Sequence, residues 1–165
     1  EANARYVHMV WPVHCEIGTW GHNVHDDVRR AYNRWEEAHV SVVNKVVKGT
    51  NPWTEHFSAI KAEVPDLEDE TTQLNTSLLA RLQQADRILI CGEAGSHCVK
   101  ATTEHIVENL AAEDVGRLTL LTDCMSPVSG FEKQYDDFVE DMRGRGVRIA
   151  KSTDVIPELL AGASR

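Results

Sequence analysis

The 165-residue chain is 42% hydrophobic and 26% charged, as expected of one globular domain spanning 1–165 that buries roughly two thirds of its unfolded surface. A net charge of −9 without any run of Lys or Arg argues against nucleic acid, and no apolar stretch approaches the roughly 18 residues of a membrane span. Cys15, Cys91, Cys98 and Cys124 show neither CxxC spacing nor disulfide-scaffold density and no signal-peptide pattern is visible, so a reducing, cytoplasmic setting is expected.

Residues 1–21 have no clear period, and Pro12 and Gly18 punctuate them as a loop. Asn23 or Asp26 can cap a helix with Val28, Ala31 and Trp35 on its apolar face, ending before Val40. Residues 41–47 are rich in Val and read as a strand, with Lys48 and Gly49 at its C-terminal end. Residues 50–69 hold Pro52, Pro65, Asn51 and an acidic run and read as a long surface loop of the kind that lines a site. A helix over 71–85 uses Leu74, Leu78, Leu79 and Leu82.

Residues 87–91 read as a buried strand, and Val99, Thr102, Ile106 and Leu110 then recur at helical spacing, placing Cys98 at a strand-to-helix turn. A second buried strand is expected over 117–121 and a turn over 122–127. Phe131, Tyr135, Phe138 and Met142 mark another helix that stops at Gly144 and Gly146, and a last strand over 147–150 precedes a short tail. Alternating strands and helices predict an α/β, three-layer α/β/α architecture with a mostly parallel sheet. Ligands of such sheets bind beyond the strand C-terminal ends, where both Lys48 and Cys98 fall.

A free thiol has a pKa of roughly 8.5, and its thiolate is the nucleophile. A helix N-terminus contributes about 0.3 to 1 kcal/mol to a neighbouring anion, whereas an ammonium about 4 Å away at an effective dielectric of about 20 contributes near 4 kcal/mol. Lys48 therefore outweighs the dipole wherever the fold brings it close. Backbone amides around Ala94 and Cys98 offer an oxyanion hole, with Gly92 and Gly95 permitting the tight path.

Each feature has a plainer reading. A strand-end Cys is often a small buried hydrophobe, and a strand-end Lys is mostly solvated. His14 is either a metal ligand or simply hydrogen bonded. His97, adjacent to Cys98 at a helical turn, points elsewhere and makes a poor base for it. Trp11, Trp53 and Phe57 either belong to the core or stack on a planar substrate. The acidic run 63–70 reads as solvated surface.

Three segments together resemble the nicotinamidase and isochorismatase-like cysteine hydrolases. Trp11-Pro12-Val13-His14-Cys15 through Gly18-Thr19 is similar to the family's WPxHC-x-x-GT loop, Lys48-Gly49 to its strand-end KG, and residues 92–102, reading GEAGSHCVKAT, to its nucleophile turn. The resemblance implies that Cys98 attacks an amide carbonyl, that Lys48 assists, and that water hydrolyses the resulting thioester. It further implies a cis peptide at Glu93-Ala94, an oxyanion hole from the amides of Ala94 and Cys98, and Trp11, Trp53 and Phe57 at pocket-lining positions. His14 matches a histidine of the family's metal site, commonly zinc or iron, which binds the pyridine nitrogen. The implied partner is a small-molecule amide, nicotinamide foremost, and the implied assembly a homo-oligomer.

The resemblance also predicts gaps. The family's catalytic Asp lies on its first strand, and further metal ligands precede the WPxHC loop; neither is in this sequence. In the family's sheet, ordered 3-2-1-4-5-6, two strands separate the one ending at Lys48 from the one leading to Cys98, about 14 Å of sheet. The chain is therefore expected to be the C-terminal part of a longer protein, with its first two strands and most metal ligands outside it. A metal-free isochorismatase-like hydrolase and a catalytically inactive binding or oligomerisation module are the competing expectations.

Overall fold

The computed structural model of the protein describes residue 6 and residues 9–163. The chain divides into two compact units, Glu1–Val46 and Val47–Arg165.

The first unit is built on α1 (Asp26–His39). His25, rather than Asn23 or Asp26, caps it, its ring accepting the N–H of Asp27. Asp26 and Asp27 in the first turn and His39 in the last suit the helix dipole. The expected apolar face is not buried: Val28 is 56% exposed and Trp35 43%, and Trp35 stacks on His39. The strand expected over 41–47 does not form. Extended backbone becomes a strand only through a ladder, and here the donors of Ser41 and Val43 are spent on the carbonyl and carboxylate of Glu36.

The second unit holds α2 (Thr76–Gln83), β1 (Ile88–Ile90), α3 (Cys98–Asn109), β2 (Leu118–Leu121), α4 (Glu132–Gly144), β3 (Arg148–Ala150) and α5 (Ser152–Ala163). The three strands are parallel in the order β1-β2-β3, with Leu89 opposite Thr119 and Leu120 opposite Ile149. The two successive crossovers run in one direction across the sheet, and the helices they carry, α3 and α4, touch; the right-handed rule for parallel connections puts such helices on one face. The fold is thus α/β with a parallel sheet, as the alternation of elements predicts.

The strands differ in burial according to their place. Central β2 is buried at every position and, Thr119 apart, is apolar throughout. β1, with a described partner on one side only, buries Ile88 but leaves Leu89 37% exposed, so it is not the fully buried strand expected. Phe138 and Met142 of α4, Val99 and Ile106 of α3 and Leu79 of α2 close the core over β2.

Three further departures have local causes. α2 starts at Thr76 instead of 71 because Asn75 caps it through the N–H of Leu78, while Asp69 nucleates a separate turn, Glu70–Thr72. The expected tail is α5, although Pro157 lies inside it. Asp123, in the turn after β2, accepts the N–H and hydroxyl of Ser152 at 2.8 and 2.7 Å and so fastens the start of α5 to the sheet. Those bonds hold the Asp123 carboxyl below its ordinary range. Finally, the loop over 50–69 is not a surface loop throughout: His56, Ser58, Ile60 and Ala62 alternate inward and are all buried.

Candidate active site

The turn over 92–98 is built where β1 ends. Gly92, at φ 120°, and the cis peptide Glu93-Ala94, as the family resemblance implies, turn the chain toward α3. The residues after β2 hold this turn in place. Gly92 N–H donates to the Cys124 carbonyl at 3.0 Å, Gly95 N–H donates to the Ser126 carbonyl at 2.7 Å, and Glu93 accepts the N–H and hydroxyl of Ser126. Gly95 is required by close approach, since a Cβ there would lie 2.7 Å from the Tyr135 ring.

Cys98 is the first residue of α3 and is half-buried. The N–H groups of Ala94 and Cys98 donate to no described residue, which leaves two donors at the helix start. The Lys48 ammonium lies 3.6 Å from the Cys98 sulfur and donates to the His56 carbonyl at 2.8 Å. The second unit therefore brings together Cys98, Lys48 and the Ala94 and Cys98 amides. Such an arrangement pairs a nucleophile with a cation and offers unengaged donors to a developing oxyanion.

Segment 54–64 connects lysine to helix. Ala59 N–H donates to Thr102 of α3, Asn75 N–H to the Ile60 carbonyl, and Ala62 N–H to the Thr72 carbonyl. The acidic run that follows is more than solvated surface, because Asp66 and Asp69 both accept the Asn51 amide, at 3.1 and 3.0 Å. The hydrogen bonds from Thr71 and Asn51 hold the Asp69 carboxyl below its ordinary range.

His97 immediately precedes α3. Its ring meets the Ser96 hydroxyl at 2.8 Å and packs on Phe57 and, edge-on, on Phe131. Burial, with Lys100 nearby, pushes its pKa down. Phe57 thus reaches this turn through His97, whereas Trp53 is 89% exposed. A cleft of about 190 Å³ beside α3 is lined by Phe57, His97, Lys100, His105 and neighbours; Cys98, Lys48 and Trp53 are not among its walls.

Trp11 and His14 belong to the first unit. His14 is exposed, and its Nδ1 bonds the Pro12 carbonyl at 2.6 Å, which orients the ring and directs its other nitrogen elsewhere. One imidazole is not a metal site, which takes three or four donors. Among the described residues no group of three or more His, Cys, Asp or Glu is placed to hold a metal ion, so they do not by themselves compose one.

Two contributors escape the sequence reading. His56, whose carbonyl receives Lys48, is betrayed only by the alternation of small and apolar residues at 58, 60 and 62. Tyr135 reads as one more residue of a helical stripe, and its contact with Gly95 carries no local signal.

No protein-family profile matches the chain. It is 26% identical over 143 residues to a nicotinamidase of Saccharomyces cerevisiae, covering 86% of this chain and 58% of that protein. A yeast nicotinamidase bound to the inhibitor nicotinaldehyde superposes with a TM-score of 0.62 at 21% identity, over 88% of this chain and 60% of that one. A Pyrococcus horikoshii pyrazinamidase in complex with zinc gives 0.53 at 21% identity, over 86% and 63%. The chain thus spans about three fifths of the length of these relatives. In sequence it is similar to a nicotinamidase, and in fold to the nicotinamidase and pyrazinamidase structures.

Proposed function

We propose that this chain carries the nucleophile, the lysine and the oxyanion hole of a cysteine amidase that cleaves nicotinamide to nicotinate and ammonia. The observation that carries the reading is the 3.6 Å approach of Lys48 to Cys98 beside two unengaged amides. The sulfur of Cys98 attacks the amide carbonyl carbon, and the carbonyl oxygen, now an oxyanion, takes hydrogen bonds from the N–H groups of Ala94 and Cys98. Collapse breaks the C–N bond, the nitrogen takes up the proton given up by the Cys98 thiol and leaves as ammonia, and a thioester remains on Cys98. Water adds to the thioester, the C–S bond breaks, and the carboxylate departs with the thiol restored. Lys48 keeps a positive charge beside the sulfur while it is anionic.

Solved relatives bound to nicotinaldehyde and to nicotinate support a pyridine carbonyl as substrate. Trp53 and Phe57 of the second unit are the aromatic candidates for such a ring, and Trp11 of the first unit is one by the family resemblance alone. His14 is a donor to a zinc or iron site most of whose ligands lie outside these residues. The working form is a cytoplasmic homo-oligomer. The test is mass analysis of the full-length protein quenched in acid during incubation with nicotinamide. A nicotinoyl adduct on the Cys98 peptide, absent from Cys98→Ala, supports the reading; turnover without any such adduct contradicts the thioester route.

A further inference from the structure

The 49–56 loop closes on a single residue. At one end Lys48 donates to the His56 main-chain carbonyl at 2.8 Å; one residue on, Gly49 N–H donates to the His56 ring Nδ1 at 3.3 Å. His56 itself is only 7% exposed, and the chain beyond it enters the core at Ser58 and Ile60 and is tied to α3 through Ala59 and Thr102. One residue therefore joins Lys48 to α3, the helix that begins with Cys98.

A lysine side chain is long, and freezing it in one geometry costs rotamer entropy, so it holds a position only against fixed acceptors. Among the described residues the hydrogen-bond partners of the Lys48 ammonium are the His56 carbonyl and the Cys98 sulfur. The direction of that carbonyl depends on how the loop is closed, and the bond from Gly49 to the ring closes it. Nδ1 accepts only while it carries no proton. Burial, and then the neighbouring Lys48 charge, push the His56 pKa down and keep the ring neutral, against the opposing pull of Asp69 and Glu55.

We propose that His56 is a positioning residue, whose ring fixes the loop closure so that its carbonyl aims the Lys48 ammonium at Cys98. The inference rests on the cysteine-hydrolase reading for its purpose, but its geometry concerns the Lys48–Cys98 pair alone. Leu at this position keeps bulk and loses the acceptor, whereas Asn keeps an oxygen where Nδ1 stands.

The experiment measures iodoacetamide alkylation of Cys98 at neutral pH, by peptide mass analysis, in the full-length protein. His56→Leu, His56→Asn, Lys48→Ala and the double variant His56→Leu with Lys48→Ala are compared, with far-UV circular dichroism confirming the fold. Displacing the ammonium from about 4 to 8 Å halves its attraction, so His56→Leu should slow alkylation about tenfold after solvent screening. His56→Asn should remain within about threefold of the parent, and His56→Leu should add nothing once Lys48 is gone. Equal slowing by Leu with and without Lys48, slowing by Asn as large as by Leu, or no slowing at all would overturn the proposal. Ammonia release from nicotinamide is read on the same samples: the expected alkylation pattern in a protein that releases none upholds His56 and rejects the amidase.

Discussion

The ammonium of Lys48 lies 3.6 Å from the sulfur of Cys98, although 50 positions separate them in the chain. A charge at this distance and partial burial outweighs the dipole of α3 several-fold. Lys48→Met keeps the length of the side chain and removes the charge. Removing the whole attraction costs twice the exponent of halving it, so the substitution is expected to slow Cys98 alkylation at neutral pH by up to about a hundredfold and to lower amide turnover by at least about 10². Alkylation kinetics at unchanged thermal midpoint check the first figure, and initial rates the second.

Gly95 admits no side chain. Its missing Cβ would sit 2.7 and 2.8 Å from two atoms of the Tyr135 ring and 3.2 Å from the Ser126 carbonyl. Gly95→Ala should cost about 1–3 kcal/mol of stability by overpacking, read as a lowered urea midpoint. Adding Tyr135→Leu to it should restore part of the loss, because the ring is the closest obstacle.

The second unit should weaken in mild acid. His56, His97 and His105 all have folded pKa values below the ordinary 6.5, burial being the largest cause for each. The unfolded chain then binds protons first as pH falls, so stability present above 6.5 is lost as pH drops toward the lowered folded values. Urea midpoints taken between about pH 7 and pH 5 should fall, and His105→Leu should shallow that fall. The same variant should fold at least as well at neutral pH, since the buried Nδ1 of His105 has no hydrogen-bond partner among the described residues.

His14 supplies a test of the metal proposal. The full-length protein should hold about one zinc or iron per chain, and His14→Ala should weaken that binding by tenfold or more. Metal analysis after exhaustive dialysis against a chelator measures both. Cys98 alkylation should be unchanged by the substitution, which keeps a ligand role apart from general unfolding.

Much of the second unit is legible in the sequence because its signals are local. The run Leu118–Leu121 announces a central parallel strand, and the stripe through Phe138 and Met142 announces α4. GEAGSHC marks the strand-to-helix turn, whereas Lys48 reaches the Cys98 sulfur without the strand expected to carry it. The misreadings are non-local. Residues 41–47 have strand propensity, but a strand is a property of a pair, and Glu36 takes the donors of Ser41 and Val43. The segment after 150 reads as a short tail, yet Asp123, far away in sequence, anchors the start of α5 there. His56 is invisible because its contribution runs through a carbonyl that every residue possesses.

The central claim is that Cys98 is the nucleophile of a nicotinamide amidase. Ammonia release from nicotinamide by the full-length protein and by Cys98→Ala tests it most directly. The account predicts release by the first and none above the uncatalysed rate by the second. Equal release by both, or none from a protein whose Cys98 alkylates rapidly, would contradict it.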